Sequence, residues 1–238
     1  NESYFAYNID NKAIHSISRG EFNKTLVELA EALPNVTITF DAFCEHVDFN
    51  TGTVHMKQGE QLNAYSADLI VGADGTGSSV RGALMKQPRF NYSQHFIDSG
   101  YKEVHIPAGE NGGPQLNIDA LHIWPRREFM LMGLANTDNG FTGTVFAPFD
   151  GEYGLDHLKT GADGLRYFEK YFKDAIPLIP NLEEQWESNP TSALACIRCE
   201  PYHWGTNTIL IGDAAHATVP FYGEGMNGSL EDVRVFLE

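Results

Sequence analysis

Two short stretches of this sequence end an apolar run in glycine and aspartate: Ile70-Val-Gly72-Ala-Asp74-Gly75 and Ile209-Leu-Ile211-Gly212-Asp213. Further on, Gly223-Glu-Gly225-Met-Asn-Gly228 spells G-x-G-x-x-G. That pattern cradles a pyrophosphate when it follows a strand directly and opens a helix inside a βαβ unit. Here ten residues separate the end of the nearest strand candidate, Thr208–Gly212, from Gly223, and no tight turn joins them. The glycines therefore call for a different partner.

A carboxylate at the carboxyl end of a buried strand repels a pyrophosphate but accepts hydrogen bonds from a hydroxyl-rich ligand, such as a ribose or ribitol chain. Each aspartate also suits a helix N-cap. Gly225-Met226-Asn227 opens a helix, whose free N–H groups and positive dipole end stabilise partial negative charge. A reduced flavin ring carries such charge. His216 and Glu224 invite an acid–base role but are not assigned one, because these positions have other uses. Cys196-Ile-Arg-Cys199 lies in an alternating stretch, where positions i and i+3 face opposite ways, and no second C-x-x-C completes a zinc site. These are read as two ordinary strand cysteines.

The elements that position these residues follow from periodicity. Ser18-Arg19-Gly20-Glu21 is a capping-box pattern. Phe22, Leu26, Leu29, Ala30 and Leu33 then recur at helical spacing, and Pro34 stops the helix. Val36, Ile38 and Phe40 alternate as in a strand. Asn50-Thr51-Gly52 reads as a turn before a strand near Val54–Lys57. Ala67–Ala73 is a short apolar run expected to be buried on both faces, and 78–86 reads as a helix. From about Phe90, strand-like segments recur at His95–Ile106, Ile118–Trp124, Phe129–Ala135 and Thr142–Phe149, a mostly antiparallel texture. Met130, Met132 and Leu134 share one face, as do Thr144 and Phe146. A helical stretch spans roughly Leu155–Phe172. Strands return over Leu194–Ile211, and Gly225–Leu237 reads as a helix. The fold class is α/β with an inserted, mostly antiparallel sheet. Expected boundaries are 1–90 and 192–238 for the first and returning parts, with 91–191 as the substrate-binding sheet domain.

The 238 residues carry a formal net charge of −16, which repels phosphate backbones and anionic membranes. No apolar run reaches 18 residues, and the first residues lack the basic and apolar regions of a signal peptide. Three cysteines do not make a disulfide framework, which fits a reducing compartment.

The stretches ADLIVGADGTGSSVR and TILIGDAAHATVPFYGEGMN resemble the two FAD motifs of flavin-dependent aromatic hydroxylases. SISRGEFNK, RFNYSQHFIDSGYKEVHIP, LHIWPRREFML and FKDAIPLIP narrow the resemblance to the kynurenine 3-monooxygenase family, over nearly the whole chain. The resemblance implies an incomplete Rossmann-like FAD/NAD(P)-binding domain around the inserted sheet, and NADPH- and O2-dependent hydroxylation of L-kynurenine to 3-hydroxykynurenine with FAD. It implies that Asp213 bonds the ribityl chain, that Gly225, Met226 and Asn227 face the flavin ring, and that Leu69 contacts FAD. Asp74 and Gly75 belong to a motif linked to FAD and NADPH. Arg19 matches an arginine that binds the substrate carboxylate; by its position alone, it is equally a surface arginine beside Glu21. Pro220, Phe221 and Tyr222 match the loop beside flavin and substrate. Leu121, Met130, Met132, Leu134 and Phe146 match a sheet that roofs the aromatic ring; by residue type alone, they are core. For a eukaryotic full-length form, the resemblance implies a mitochondrial outer membrane location.

The family opens with a strand–G-x-G-x-x-G–helix unit and continues beyond the Gly-Met-Asn helix. This sequence shows neither, so the expectation is a fragment that by itself binds FAD poorly or not at all. Leu33 stands where the family has a substrate-contacting tyrosine. Two other readings stay open at this point: a related hydroxylase of another aromatic acid, and a non-catalytic binding chain.

Overall fold

The computed structural model describes residues 3–6, 14–219, 221 and 223–238. In chain order the helices are α1 (Arg19–Glu31), α2 (Ser79–Leu84), α3 (Gly161–Tyr171), α4 (Leu182–Ser188), α5 (Asp213–His216) and α6 (Gly225–Leu237). The strands are β1 (Ala42–Asp48), β2 (Thr53–Gln58), β3 (Gln61–Ser66), β4 (Ile70–Gly72), β5 (Asn91–Ile106) and β6 (His122–Arg126). They continue with β7 (Phe129–Ala135), β8 (Phe141–Pro148), β9 (Thr191–Glu200), β10 (His203–Trp204) and β11 (Thr208–Leu210). This is a mixed α/β chain of two compact units. One comprises Asn1–Thr37 with Ser99–Ser192, the other Ile38–Asp98 with Ala193–Glu238.

The first unit is built on β6, β7, β8 and the Ser99–Ile106 part of β5, paired in the order β6-β7-β8-β5. Val104, Ile106, Phe129, Leu131, Phe141 and Val145 point to one face and pack with Phe168, Phe172 and Trp186 of the helical layer. Alternation along each strand sends Met130, Met132, Leu134, Thr144 and Phe146 to the opposite face. α3 starts where Thr160 accepts from the Asp163 amide and the Asp163 carboxylate accepts from Thr160. This reciprocal cap interrupts the helix expected from Leu155 to Phe172, leaving a separate 3-10 turn at Leu155–His157. Gly164 on α3 has no Cβ because the Trp186 ring occupies that space.

α1 also belongs to this unit. Ser18 accepts from the Glu21 amide, but the box is not reciprocal, since the Glu21 carboxylate accepts from Thr137 Oγ1 instead. No residue of α1 is buried, and Leu26, Leu29 and Leu33 lie exposed. Helical spacing therefore marked the helix but not a buried stripe. The strand expected at Val36–Phe40 does not form. Alternation creates a strand only where a neighbour completes the ladder.

In the second unit, β1, β2 and β3 form an antiparallel meander. The expected turn at Asn50–Gly52 joins the first two, with Gly52 at φ +63°, where an added Cβ would stand 2.7 Å from the Ala67 carbonyl oxygen. A second sheet has order β10-β11-β4; β11 runs parallel to β4 and antiparallel to β10. Val47, Ile70, Val80, Leu84, Leu210 and Ala214 contribute to its core. The Ala67–Ala73 run was expected to be buried on both faces. Only three residues pair, and Val71 is 40% exposed while Ile70 is 5% exposed. One face of β4 packs against α2, and the other, carrying Val71, is left exposed among the described residues. Cys196 and Cys199 stand on β9 as free thiols, and burial raises the Cys199 thiol pKa.

Candidate functional site

The parallel β4–β11 pair sets Gly72 opposite Leu210, and the Ile211 amide donates to the Gly72 carbonyl at 3.1 Å. The turns carrying Asp74 and Asp213 therefore leave the same end of adjacent strands, the carboxyl end where open α/β sheets bind ligands. Arg81 of α2 braces them. Its guanidinium is buried and donates to the carbonyls of Ala214 at 2.9 Å and Thr76 at 2.5 Å.

The two aspartates look alike in sequence but differ in role. Asp74 is consumed by the start of α2. Its Oδ1 accepts from Ser78 Oγ at 2.5 Å, and its Oδ2 from the amides of Ser79 at 2.7 Å and Val80 at 3.2 Å. A carboxylate facing the free N–H groups of a helix is well satisfied there. Gly75 makes the turn possible with φ +76°. Asp213, by contrast, is not a cap: it is the first residue of α5, and Gly212 occupies the capping position. Its carboxylate is half-buried and makes no hydrogen bond among the described residues. A Cβ built on Gly225 would lie 3.9 Å from Asp213 Oδ1. The free acid thus stands beside the first turn of α6.

That first turn leaves the N–H groups of Gly225, Met226 and Asn227 outside the helix's own ladder, which begins with the Gly228 amide on the Glu224 carbonyl at 2.9 Å. The Asn227 side chain donates to Glu224 Oε2, and Met226 is exposed. Among the described residues, no atom beyond its chain neighbours and its own helix lies within 4 Å of a Cβ placed on Gly75, Gly77, Gly223 or Gly228. A hydroxyl acceptor, free amides and open glycines at one strand end fit a flavin nucleotide. Leu69 is not brought to this end: it precedes β4 at the opposite end, on the exposed side. Phe221 is half-buried. Pro220 and Tyr222 lie outside the described residues.

In the first unit, the strand register gathers the expected sheet residues. Met130 is opposite Phe146, Met132 opposite Thr144, and Leu134 opposite Thr142, with Tyr101 on the far side of Phe146. Met132 and Phe146 are buried, while Met130 and Leu134 are partly so. Leu121 precedes β6 and is exposed, in the alternation of Ile123, which pairs with Met132. Arg19 is exposed at the first position of α1. The segment before it is tied to this sheet, as Ser16 Oγ donates to the Ala135 carbonyl at 2.5 Å.

Three residues of the second unit escaped the sequence reading: Arg81, Ser229 and Asp232. Gly225, Ser229 and Asp232 fall at i, i+4 and i+7, one face of α6, and that spacing was the available signal. A cavity of 790 Å³ lies along β9, lined by Tyr92, Arg198, Tyr202 and His216 among others. None of the candidate cofactor residues lines it. No group of three metal-ligating side chains occurs among the described residues.

A kynurenine 3-monooxygenase of Christiangramia forsetii is 44% identical over 98% of this chain and 52% of its own length. One of Dictyostelium discoideum is 42% identical over 98% of this chain and 50% of its own. The chain therefore spans about half the length of the curated relatives it matches. Among solved structures, the tetrameric form of 2-methyl-3-hydroxypyridine-5-carboxylic acid oxygenase superposes with a TM-score of 0.71. It is 22% identical, over 90% of this chain and 54% of that one, a likeness of fold. The model of the FAD binding domain matches residues 6–236, and the chain belongs to that family.

Proposed function

We propose that this chain carries flavin- and substrate-binding elements of a monooxygenase that uses NADPH and O2 to hydroxylate L-kynurenine to 3-hydroxykynurenine. The observation that carries the proposal is the unpartnered Asp213 carboxylate beside the free amides of α6, inside an FAD binding domain. When bound, FAD supplies the transfer of electrons from NADPH and the activation of O2.

The chain's own residues do the rest. Asp213 accepts hydrogen bonds from ribityl hydroxyls. The N–H groups of Gly225, Met226 and Asn227 stabilise negative charge developing on the ring. Gly223 and Gly228 leave room for close approach of a flat ligand. Asp74 and Gly75 shape the neighbouring turn, with Asp74 acting through the bonds it accepts from the first amides of α2. Arg19 offers a planar fork to the substrate carboxylate. Met130, Met132, Leu134, Phe146 and Leu121 offer an apolar surface to the aromatic ring, and Phe221 borders the flavin. An apolar lining excludes water from the reacting ring.

The test is an absorbance spectrum of the intact gene product, followed by NADPH oxidation with and without kynurenine. A yellow protein whose NADPH oxidation rises with kynurenine supports the proposal. A protein that holds no flavin, or one whose oxidation ignores kynurenine, overturns it.

A further inference from the structure

We propose that Asp232 is a positioning residue that fixes the Gly212–Asp213 turn against α6 and so aims the Asp213 carboxylate at the cofactor hydroxyls. The proposal rests on the flavin reading of the site given above. Asp232 Oδ2 accepts from the Gly212 amide at 2.7 Å and from His216 Nε2 at 2.7 Å. Gly212 caps α5 and His216 is its last residue. One carboxylate oxygen therefore holds both ends of a four-residue helix, which is far too short to persist by its own ladder.

The backbone explains why an external acceptor is needed. Gly212 adopts φ +59° and ψ −144°, outside helical geometry. Its part-buried amide finds its acceptor on α6, and an unpaired donor there is costly. Asp232 lies on the same α6 face as Gly225 and Ser229, so the bond couples the turn to the helix that presents the free amides. Ser229 completes the seat, standing 2.8 Å from where a Gly212 Cβ would lie. The neighbouring Glu231 is paired with Arg234 and takes no part. Among the described residues, the hydrogen bonds of the Asp232 side chain go to Gly212 and His216 and to no candidate cofactor-binding side chain, so it acts through the turn.

The intact gene product is compared with Asp232→Asn, Asp232→Ala and His216→Ala. Amide hydrogen exchange over Gly212–His216 is measured without ligand, and FAD affinity by quenching of flavin fluorescence. Asp232→Ala is expected to lose protection and weaken FAD binding by about ten-fold or more, the cost of an unpaired buried donor. Asp232→Asn keeps an oxygen in place and is expected to hold protection and stay within about three-fold of wild type. Wild-type exchange and affinity in Asp232→Ala overturn the proposal. So does an Asp232→Asn protein that loses FAD as fully as the alanine variant, because charge rather than position would then matter. If Asp232→Ala does not fold, His216→Ala decides: raised exchange over 213–216 supports the proposal and unchanged exchange overturns it. If wild type itself binds no FAD, the flavin reading fails, and the exchange data alone uphold or overturn the clamp.

Discussion

Gly212→Ala separates backbone strain from packing at the candidate site. Gly212 adopts φ +59° with ψ −144°, a region that side chains rarely enter. Forcing alanine into it costs about 1–3 kcal/mol. The new Cβ would also meet Ser229 Oγ at 2.8 Å and Ser229 Cβ at 3.2 Å. The hydroxyl can rotate away, losing its 2.9 Å bond to the Gly225 carbonyl, worth about 1 kcal/mol. The Cβ contact needs a shift of only tenths of an ångström. Strain is therefore the larger part, and the total is about 2–4 kcal/mol. In a double mutant with Ser229→Gly, the clash disappears but the strain remains. The two changes should couple by about 1 kcal/mol. Thermal unfolding and FAD titration of the four proteins supply the cycle. A Gly212→Ala protein within about 0.5 kcal/mol of wild type, the range of an ordinary surface change, would refute the reasoning.

Other perturbations test the first unit. Gly164→Ala places a Cβ 2.3 Å from Trp186 Cγ, and that ring is fully buried and packed by Phe168. Overpacking of about 1–3 kcal/mol outweighs the gain of about 1 kcal/mol in helix propensity, so Tm should fall; a rise would show that the ring yields. Lys102 is buried, donates to the Asn189 carbonyl and sits 5.2 Å from the Trp186 ring centroid. Burial first, and then the Lys159 charge, lower its pKa below the ordinary 10.5. The unfolded chain thus binds more protons between the lowered value and 10.5, and stability rises with pH through that window. Wild-type Tm should climb relative to Lys102→Met as pH approaches 10.5, whereas a constant difference would contradict the burial cause. Arg19→Ala should raise the KM for kynurenine by about ten-fold or more, with Arg19→Lys intermediate and FAD affinity unchanged. An unaltered KM would return Arg19 to an ordinary surface residue.

Local pattern carried much of the fold. The periodicity of Phe129–Ala135 and Gly225–Leu237 gave β7 and α6 with their observed bounds, and Ser18 marked the start of α1. The face shared by Met130, Met132 and Leu134 follows from the period of two and holds in the strand register. Where local pattern failed, a long-range partner was at issue. Val36–Phe40 alternates but has no strand to pair with among the described residues, and Leu26 and Leu29 of α1 stay exposed. β1 and β3 were missed because they exist through their pairing with β2.

The candidate site shows the same division. Sequence alone located two Gly-Asp turns after apolar runs and a glycine-rich helix start, because a strand, a turn and a helix terminus are each written in a few adjacent residues. It treated Asp74 and Asp213 as equivalents. Tertiary structure distinguished them, because α2 supplies donors that satisfy Asp74, whereas Asp213 begins a short helix and keeps its carboxylate free. The Arg81 brace and the Asp232 clamp were likewise set by the parallel pairing of β4 with β11 and by the seating of α6 on Gly212. Which donor meets a carboxylate depends on contacts between segments far apart in the chain, and residue spacing does not encode that.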